Sequence, residues 1–558
     1  MTDLLAAATA WCALDPDPTT VGLTKAMIER ADEAELHEHF GATLNFGTAG
    51  LRGALGPGSN RMNRLLVRRV TAALGAYLLE TVEGAAKQGV VIGRDGRHGS
   101  EAFEAEAAGV LKAQGFVVHR WADVVPTPEL AHAVPHLGCV AGIMVTASHN
   151  PPTDNGYKVY WANGAQFISP HDDAVFARIG KVPPVVPSDE PAHLVPSAVR
   201  MAYLRAVSAL RVNPISGARI VYSAMHGVGA ERVAQVLSMA GHNDTHFVAE
   251  QRQPDPDFPT VSFPNPEEPG ALALSVALAE QVDADVILAN DPDADRLAVA
   301  LPSEQGWQKL TGNQIGVVLA ASRLRALSHL PDPMVATTVV SSMMLSKMAA
   351  EYGVRFVSTL TGFKWIANQA IAHKDNGGTF LMGYEEALGY TVGDVVRDKD
   401  GVSAVLLFAD LVSALKAEGR SVWDELTELY ERFGLHRSGQ KSVVFPGTSG
   451  KSTMTRMMER ARQAVPAEIA GIAVEQHFDL LNGTAVGADP IDVPASDVLI
   501  FMLADGSRVI LRPSGTEPKI KLYLEVVEPY TGDKVAAAER AEGRYDALMA
   551  AATTALLG

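Results

Sequence analysis

The stretch that decides the fold is Val140-Ala-Gly-Ile-Met-Val145, continued by Thr146-Ala147-Ser148-His149-Asn150-Pro151-Pro152-Thr153 and by Asp154-Asn-Gly-Tyr-Lys158. The apolar run Val140–Val145 predicts a buried strand. The small and turn-forming residues behind it predict a tight loop that presents Ser148 where the strand ends. Open α/β sheets carry their chemistry at that edge. An isolated Ser-His-Asn segment is more often only a polar turn. Its assignment to a functional site therefore depends on the other loops of the chain.

Strands alternate with helices around this stretch. The patterns predict a helix from about Asn63 to Val82, then strand, helix and strand at Val90–Gly93, Glu101–Gln114 and Phe116–His119. This alternation is typical of βαβ units and a mostly parallel sheet. The end of the chain differs, because strands alternate with turns there and predict an antiparallel sheet. A chain of 558 residues is too long for one core. We expect four domains, at residues 1–205, 206–325, 326–440 and 441–558.

Composition restricts the class of protein. With 47% hydrophobic and 20% charged residues the chain is typical of globular proteins, and no apolar run reaches the length of a membrane span. Two cysteines cannot form a disulfide framework, and no basic residue precedes Lys25 as a signal peptide would require. We therefore expect a cytoplasmic protein. A net charge of −17 argues against nucleic acid but allows a small phosphorylated ligand in a locally basic cleft.

The acidic segment Asn290-Asp291-Pro292-Asp293-Ala294-Asp295-Arg296 follows a predicted strand at Asp285–Ala289. Carboxylates this close repel one another unless a cation neutralises them, and oxygen ligands favour Mg²⁺ or Ca²⁺. A calcium EF-hand is excluded, because its turn glycine would be Arg296 and its bidentate glutamate would be Pro302. A solvated acidic turn is the alternative.

Four further loops carry groups suited to an anion or a polyol. Phe46-Gly-Thr-Ala-Gly-Leu-Arg52-Gly53 combines glycines with one arginine, and Thr361-Gly362-Phe-Lys364 predicts a helix start beside a lysine. Gly383-Tyr-Glu385-Glu-Ala387-Leu-Gly-Tyr390 follows another strand. Arg512-Pro-Ser514-Gly515-Thr516-Glu-Pro-Lys519 places two cations and two hydroxyls in eight residues. Ordinary turns, a helix cap and a hairpin are the alternatives for these loops.

Taken together, these motifs resemble those of the α-D-phosphohexomutase superfamily. T-A-S-H-N-P-P-x-D-N-G-Y-K is similar to its phosphoserine loop, D-P-D-A-D-R to its metal loop and R-P-S-G-T-E-P to its phosphate-binding loop. F-G-T-A-G-L-R-G resembles the branch with phosphopentomutase-like members. The resemblance covers residues from about 45 to 530. It implies an α/β fold of four domains: three mixed-sheet domains that share a topology, and a C-terminal α+β domain with an antiparallel sheet, around a central cleft.

The resemblance also implies site residues. Ser148 would carry the phosphoryl group, Asp291, Asp293 and Asp295 would bind Mg²⁺, and the Ser148 phosphate would complete its shell. Arg52 and Lys158 would transfer protons or stabilise charge, and His149 would orient the loop or contact phosphate. The substrate would contact Arg296, Thr361, Gly362, Lys364, Glu385, Arg512, Ser514, Gly515, Thr516 and Lys519. One departure concerns the sugar: Ala387 stands where the family's G-E-x-S-G loop has a serine, and no histidine follows.

The implied activity is a mutase that moves a phosphoryl group between positions 1 and 6 of mannose or glucose phosphate. It would pass through phosphoserine and a sugar 1,6-bisphosphate, which also acts as activator. A phosphopentomutase, a glucose 1,6-bisphosphate synthase and a non-catalytic sugar-phosphate sensor are the alternatives; sugar preference and oligomeric state stay open. A serine hydrolase is disfavoured, because G-x-S-x-G is absent and His149 is expected to be poorly placed to reach its neighbour's hydroxyl.

Overall fold

The computed structural model describes residues 2–44, 46–47, 50–445, 450–514 and 519–558, with only the backbone described at 46–47. The chain forms two compact units. The first comprises Met1–Leu310, Ala367–Asp375 and Leu388–Ala417, and the second comprises Thr311–Ile366, Asn376–Ala387 and Glu418–Gly558. In the described residues no helix is both long and apolar enough to cross a membrane.

The regular elements alternate along most of the chain. The α-helices are α1 (Thr2–Cys12), α2 (Pro18–Arg30), α3 (Glu33–Phe40), α4 (Arg64–Thr81), α5 (Ala85–Gln88), α6 (Ser100–Ala113), α7 (Thr127–His136), α8 (His171–Phe176), α9 (Ser197–Ser208), α10 (Ala230–Met239), α11 (Ala273–Val282), α12 (Gly312–Leu327), α13 (Met344–Glu351), α14 (Phe363–Asp375), α15 (Gly401–Ala417), α16 (Val422–Phe433), α17 (Gly450–Gln463) and α18 (Lys534–Leu557). The strands are β1 (Phe46–Gly47), β2 (Gly50–Ala54), β3 (Val90–Arg94), β4 (Val118–Arg120), β5 (Ala141–Val145), β6 (Asp154–Trp161), β7 (His193–Leu194), β8 (Ile220–Ser223), β9 (Thr245–Phe247), β10 (Val286–Ala289), β11 (Ala298–Ser303), β12 (Gly306–Lys309), β13 (Pro333–Thr338), β14 (Arg355–Thr359), β15 (Thr379–Glu385), β16 (Gly389–Val392), β17 (Leu435–Val444), β18 (Glu468–Ile469), β19 (Ile472–Asp479), β20 (Thr484–Val486), β21 (Leu499–Leu503), β22 (Arg508–Pro513) and β23 (Lys519–Glu528).

The first sheet of the first unit is mixed, in the order β1-β2-β6-β5-β3-β4-β7. Strands β5, β3, β4 and β7 are parallel, whereas β6 and β2 run antiparallel to their neighbours. The expectation of a mostly parallel sheet is therefore corrected by β2 and β6. Asp154, Asn155 and Gly156 are typical of a turn, but they begin a strand because β5 and β2 pair with it on both sides. This pairing sets Lys158 opposite Met144, close to the end of the strand that leads to Ser148.

The second sheet of this unit has the order β12-β11-β10-β8-β9. Strand β10 lies parallel to β8 and antiparallel to β11, so the acidic segment connects two central neighbours. Helix α15 is buried along residues 401–415, as its nearly uniform apolar sequence predicts.

The second unit contains a parallel three-strand arrangement in which β13 lies between β14 and β15. Its other sheet is antiparallel, in the order β17-β23-β22-β21-β19-β18, with β20 beside β19. The predicted antiparallel sheet near the end of the chain is thus confirmed.

Helices and strands occur within a proline-rich segment and across the expected domain boundaries. The proline-rich segment 182–196 contains the short edge strand β7, which pairs with β4. The expected boundaries at 205, 325 and 440 lie inside α9, α12 and β17. Helix α12 begins at Gly312, where Thr311 and Gln314 form a capping box, so it runs across the expected boundary at 325. The division into four domains stays a prediction at this level.

A buried ionic cluster ties together two parts of the second unit. Glu525 on β23 accepts hydrogen bonds from Arg508 Nε at 2.9 Å and His436 Nδ1 at 2.8 Å. Arg508 also donates to the carbonyl oxygens of Val339 and Ser341, in the loop that follows β13. Burial alone would raise the pKa of Glu525, but Arg508 and His436 outweigh burial and lower that pKa to about 2.

We expect Glu525→Gln to destabilise the second unit by about 3 kcal/mol at neutral pH, because it leaves Arg508 buried without its counter-ion. A lowered carboxyl pKa adds stability above the unfolded value near 4.5, and that stability disappears as pH falls through about 2. Denaturant unfolding from pH 7 down to the lowest pH at which the fold persists measures the difference. Glu542→Gln, which removes a half-exposed pair with Arg437, should cost less than about 1 kcal/mol. Equal losses for the two variants would contradict this assignment.

Candidate active site

Ser148 lies at the end of β5 in a left-handed backbone conformation, with φ of 52°. Few residues other than glycine adopt this conformation, and it turns the side chain sharply away from the direction of the strand. The Ser148 N–H donates to Thr146 Oγ1 at 2.9 Å, and its hydroxyl donates to Asp291 Oδ2 at 2.7 Å. The predicted nucleophile and the predicted metal loop are therefore in direct contact.

The acidic loop itself is held by its own backbone and by a neighbouring turn. The Ala294 N–H donates to the Asp291 carbonyl at 2.9 Å, and Ala294 has a φ of 57°. The turn after β8 packs against this loop so closely that a Cβ on Gly227 would lie 2.3 Å from Pro292 Cα. The next N–H, of Val228, donates to the Pro292 carbonyl at 2.8 Å. A glycine is therefore required at position 227 for this contact.

Cationic side chains surround the three aspartates. Lys158 Nζ lies 2.7 Å from Asp293 Oδ2 and 2.9 Å from Asp295 Oδ2, and all three side chains are buried. Lys399 Nζ lies 3.2 Å from the same Asp295 oxygen. The Arg296 guanidinium lies 3.9 Å from Asp291 Oδ2 and 4.0 Å from Asp295 Oδ1. Arg296 therefore faces the carboxylates of the acidic loop, and its contact with substrate stays a prediction.

The electrostatic state of the loop follows from these distances. Burial, with repulsion from Asp293 and Asp295, raises the pKa of Asp291 to about 8. Burial opposes ionisation of Asp295 as well, but Lys158 and Lys399 outweigh it and lower its pKa. Burial also lowers the pKa of Lys158, yet Asp293 and Asp295 outweigh burial, so the net shift is upward. Lys158 therefore stays protonated, which suits charge stabilisation better than service as a base.

The donor set fits a hard divalent cation. One carboxylate oxygen from each of Asp291, Asp293 and Asp295 can be chosen such that all lie within 4.8 Å of one another. The Oδ1 atoms of Asp293 and Asp295 are buried, and neither accepts a hydrogen bond from a described residue. Oxygen-only ligation of this kind suits Mg²⁺. The unsatisfied buried oxygens and the raised pKa of Asp291 are what a missing positive charge would produce.

Arg52 and His149 are the remaining candidate catalytic residues. Arg52 lies on β2 opposite Gly156, and its buried Nε donates no hydrogen bond to a described residue; Thr48 and Ala49 of its motif lie outside the described residues. Burial lowers the pKa of the Arg52 guanidinium, and Asp293 and Asp295 oppose that shift. The expectation that His149 cannot reach its neighbour's hydroxyl is wrong, because His149 Nδ1 lies 3.2 Å from Ser148 Oγ. The left-handed turn at Ser148 brings the two adjacent side chains to the same side.

His149 is nevertheless poorly suited to act as a charged group. Burial, assisted by Arg296 and Arg52, holds its pKa well below the ordinary value, so the ring is neutral. Its ring also packs edge-on against Phe263, with centroids 6.2 Å apart. These contacts are consistent with the orienting role expected from the sequence.

The second unit holds the expected sugar-binding residues. Glu385 Oε1 accepts a hydrogen bond from the Gly362 N–H at 2.7 Å, so the carboxylate and the start of α14 lie together. The helix start predicted at Gly362 thus lies against the Glu385 carboxylate, and the substrate contact of Gly362 stays a prediction. Thr361 precedes Gly362, and Lys364 Nζ lies 5.9 Å from the Trp365 ring centroid.

Of the expected phosphate-binding residues, the structure describes Arg512, Ser514 and Lys519, which lie at one end of the paired strands β22 and β23. Arg512 pairs with Lys521 in the sheet, and the Ser514 N–H donates to the Lys519 carbonyl at 2.8 Å. Gly515 and Thr516 lie outside the described residues. Burial and the charge of Glu386 raise the pKa of Tyr523, on β23, to about 12, while Arg512 opposes the shift.

Sequence reasoning missed three groups that act on this site. Thr127 Oγ1 donates to Asp293 Oδ2 at 2.7 Å, Lys399 approaches Asp295, and Arg97 binds the backbone of the Ser148 loop. Nothing local distinguishes Thr127, whose side chain caps a carboxylate 166 residues away. For Arg97 and Lys399 a signal did exist: Arg94-Asp-Gly-Arg97 and Arg397-Asp-Lys-Asp400 are dense in charge yet follow buried strands.

Comparison with known proteins gives matches along most of the chain. Family profiles described as phosphoglucomutase/phosphomannomutase, alpha/beta/alpha domains I, II and III, match residues 43–184, 201–304 and 311–433. The profile for the C-terminal domain of the same family matches residues 455–542.

Individual proteins are similar over nearly their whole length. A probable phosphomannomutase of Haemophilus influenzae is 41% identical over 488 residues, which are 85% of this chain and 96% of that protein. A phosphopentomutase of Homo sapiens is 36% identical over 557 residues, covering 93% and 90%. The crystal structure of a putative phosphomannomutase from Thermus thermophilus has a TM-score of 0.70 at 24% identity, covering 93% of this chain and all of that one. The last similarity concerns the fold alone.

Proposed function

Since this chain belongs to the phosphoglucomutase/phosphomannomutase family, we propose that it interconverts the 1-phosphate and 6-phosphate of a hexose, mannose or glucose, through phosphorylated Ser148. The chain is a phosphosugar mutase, an isomerase that transfers a phosphoryl group. The observation that carries the site assignment is the 2.7 Å hydrogen bond from the Ser148 hydroxyl to Asp291, within the buried acidic loop.

The chemistry divides into two transfers. A free hydroxyl oxygen of the bound sugar phosphate attacks the phosphorus of phosphorylated Ser148, the bond from phosphorus to Ser148 Oγ breaks, and the sugar hydroxyl loses its proton. The product is a sugar bisphosphate, which gives its other phosphoryl group back to Ser148 after it has turned round. The enzyme thus ends in the state in which it began, and a sugar 1,6-bisphosphate also primes any unphosphorylated enzyme.

The residues of the first unit would act mainly by charge. Asp291, Asp293 and Asp295 would hold Mg²⁺, which when bound draws charge from the transferring group. Lys158 keeps the carboxylates of Asp293 and Asp295 ionised and fixed, and Lys399 assists at Asp295. Arg52 and Arg296 supply cations beside the loop. Such preorganised charge stabilises the transition state without reorganisation at the moment of reaction.

The second unit would recognise the sugar and its non-reacting phosphate. Glu385 would accept hydrogen bonds from ring hydroxyls after it releases the Gly362 N–H, and Thr361 and Lys364 would assist. Arg512, Ser514, Gly515, Thr516 and Lys519 would hold whichever phosphate is not reacting, because an arginine fork, hydroxyls and backbone N–H groups together form an anion cradle.

A phosphopentomutase is the second candidate. Ala387 removes a hydroxyl that hexose-specific loops use, and the human phosphopentomutase covers 93% of this chain. The six-carbon activity is favoured by the higher identity to the probable phosphomannomutase.

We expect kcat/KM for mannose 1-phosphate or glucose 1-phosphate to exceed that for ribose 1-phosphate, measured with a bisphosphate activator and Mg²⁺. Ala387→Ser should raise hexose kcat/KM by up to about tenfold, the value of one added hydrogen bond. Ala387→Cys, similar in size but a weak donor, is the control and should change it little. A preference for the pentose in the unmodified enzyme would favour the phosphopentomutase.

A further inference from the structure

Arg97 lies immediately beside the Ser148 loop, and its side chain is almost fully buried, with 1% of its surface exposed. It follows β3, the strand next to the one that delivers Ser148. The proposed phosphoryl transfer assigns no role to Arg97. An arginine buried this deeply needs partners for a planar group with five donors.

The partners are backbone carbonyls of the nucleophile loop. Nη2 donates to the carbonyl oxygens of Ser148 and Asn150, both at 2.6 Å. Nη1 donates to those of Pro151 at 2.8 Å and Asp154 at 3.3 Å. One guanidinium therefore binds four carbonyls within seven consecutive residues.

These carbonyls belong to two successive turns. The Asn150 N–H donates to the Ala147 carbonyl at 3.1 Å, and the Asp154 N–H donates to the Pro151 carbonyl at 3.0 Å. The Pro151 carbonyl is shared between its turn and Arg97, whereas the carbonyls of Ser148, Asn150 and Asp154 accept neither turn hydrogen bond and bind Arg97. Without Arg97 the buried hydrogen bond to the Ser148 carbonyl would be lost, and with it the contact that fixes the left-handed Ser148.

The guanidinium is fixed on its other edges. Asp95 Oδ2 lies 3.2 Å from Arg97 Nε, and Asp95 Oδ1 accepts the Arg97 N–H at 3.1 Å and the Ser100 hydroxyl at 2.6 Å. The ring of Phe258, from the long loop after β9, stacks on the guanidinium at 5.0 Å. Asp95 and Phe258 thus hold the Arg97 guanidinium in the orientation that faces the Ser148 loop.

The geometry points to Arg97 as the positioning residue of the phosphoryl carrier: it holds the Ser148 loop in the conformation that directs Oγ at Asp291. Arg97 touches neither the reacting oxygen nor the acidic loop, so it acts through the backbone of Ser148. This role rests on the proposed function of Ser148. It requires the planar fork, and a lysine at the same place would keep the charge but could not bind four carbonyls in one plane.

Arg97→Lys therefore tests the role. The enzyme is first phosphorylated with glucose 1,6-bisphosphate, and transfer to a hexose 1-phosphate is followed in a single turnover. We expect transfer to slow by about 100-fold, the usual consequence of displacing a reacting group by about 1 Å, while KM stays nearly unchanged. Amide hydrogen exchange should increase in residues 147–154 and remain unchanged elsewhere.

The matched control is Arg94→Lys. Arg94 lies on β3 three residues earlier and pairs with Glu104 at 3.1 Å, away from the loop. Its variant should transfer at the wild-type rate. If Arg97→Lys does not fold, Asp95→Asn tests the role of Arg97 instead. Asparagine keeps the shape of the Asp95 side chain but removes the charge that orients the Arg97 guanidinium. We expect phosphoryl transfer by this variant to be about tenfold slower than in the wild type.

The outcomes separate the two proposals. A wild-type enzyme that takes up no phosphate at Ser148 overturns the proposed carrier and this inference with it. A wild-type enzyme that does so, beside a folded Arg97→Lys or Asp95→Asn variant with wild-type transfer and exchange, overturns the role of Arg97 alone. Slow transfer that also appears in Arg94→Lys would likewise contradict it, because the effect would then belong to the strand and not to the fork.

Discussion

Ser148→Ala is expected to reduce turnover by at least about 10⁴-fold, because the proposed mechanism carries the phosphoryl group on Ser148 Oγ between the two transfers. In the structure Ser148 Oγ is the hydroxyl that faces Asp291, and the backbone at Ser148 is turned to make this possible. Alanine removes only one buried oxygen, so the fold should persist. A coupled assay of hexose phosphate isomerisation measures the loss.

The control for this prediction is Ser303→Ala. Ser303 lies on an exposed hairpin, where its hydroxyl donates to the Gly306 carbonyl, and its loss should leave turnover unchanged. Unfolding temperatures of both variants should lie close to the wild type. Turnover retained by a folded Ser148→Ala variant would refute the assignment of the carrier.

Removal of divalent cations should lower turnover by at least about 10³-fold, reversibly, because several kcal/mol of charge stabilisation depend on the metal. A second readout does not depend on activity: Mg²⁺ at about 100 times its Kd should stabilise the folded protein by about 2.7 kcal/mol. The physical reason lies in the buried, unsatisfied oxygens of Asp293 and Asp295, which an oxygen-seeking cation would satisfy.

Asp293→Asn should weaken this Mg²⁺-dependent stabilisation, since it removes one charge from the cluster of three ligands. Asp244→Asn is the control, because Asp244 forms a half-exposed pair with Arg219 and should not alter the response to Mg²⁺. Full turnover after chelation, or an equal Mg²⁺ response in both variants, would contradict a metal site at the acidic loop.

The sequence predicted those parts of the site that local chemistry specifies. Three aspartates at alternate positions after a strand repel one another wherever they fold, so they indicate a cation site without further information. The Ser148 loop could be located for a similar reason: an apolar strand that ends in small and turn-forming residues exposes the next side chain. The structure places these two segments in contact through the Ser148 hydroxyl.

The other features of the site depended on contacts between residues that lie far apart in the sequence. Asp154 to Lys158 is typical of a turn in isolation, and it becomes a strand because neighbours on both sides pair with it. Lys158 is fully buried only because Asp293 and Asp295 lie beside it, 135 and 137 residues later. Arg97 binds carbonyl groups, which every residue has, so no side-chain pattern marks its partners. The contact between His149 and Ser148 depends on one backbone angle that no propensity predicts.

Identification of the residue that takes up phosphate tests directly whether Ser148 is the phosphoryl carrier. Purified enzyme is incubated with glucose 1,6-bisphosphate and Mg²⁺, and the phosphorylated peptide is sequenced by tandem mass spectrometry. We expect a single phosphate on Ser148, which is lost on addition of hexose monophosphate. Turnover without any phosphate on Ser148, or with the phosphate on another residue, would contradict it.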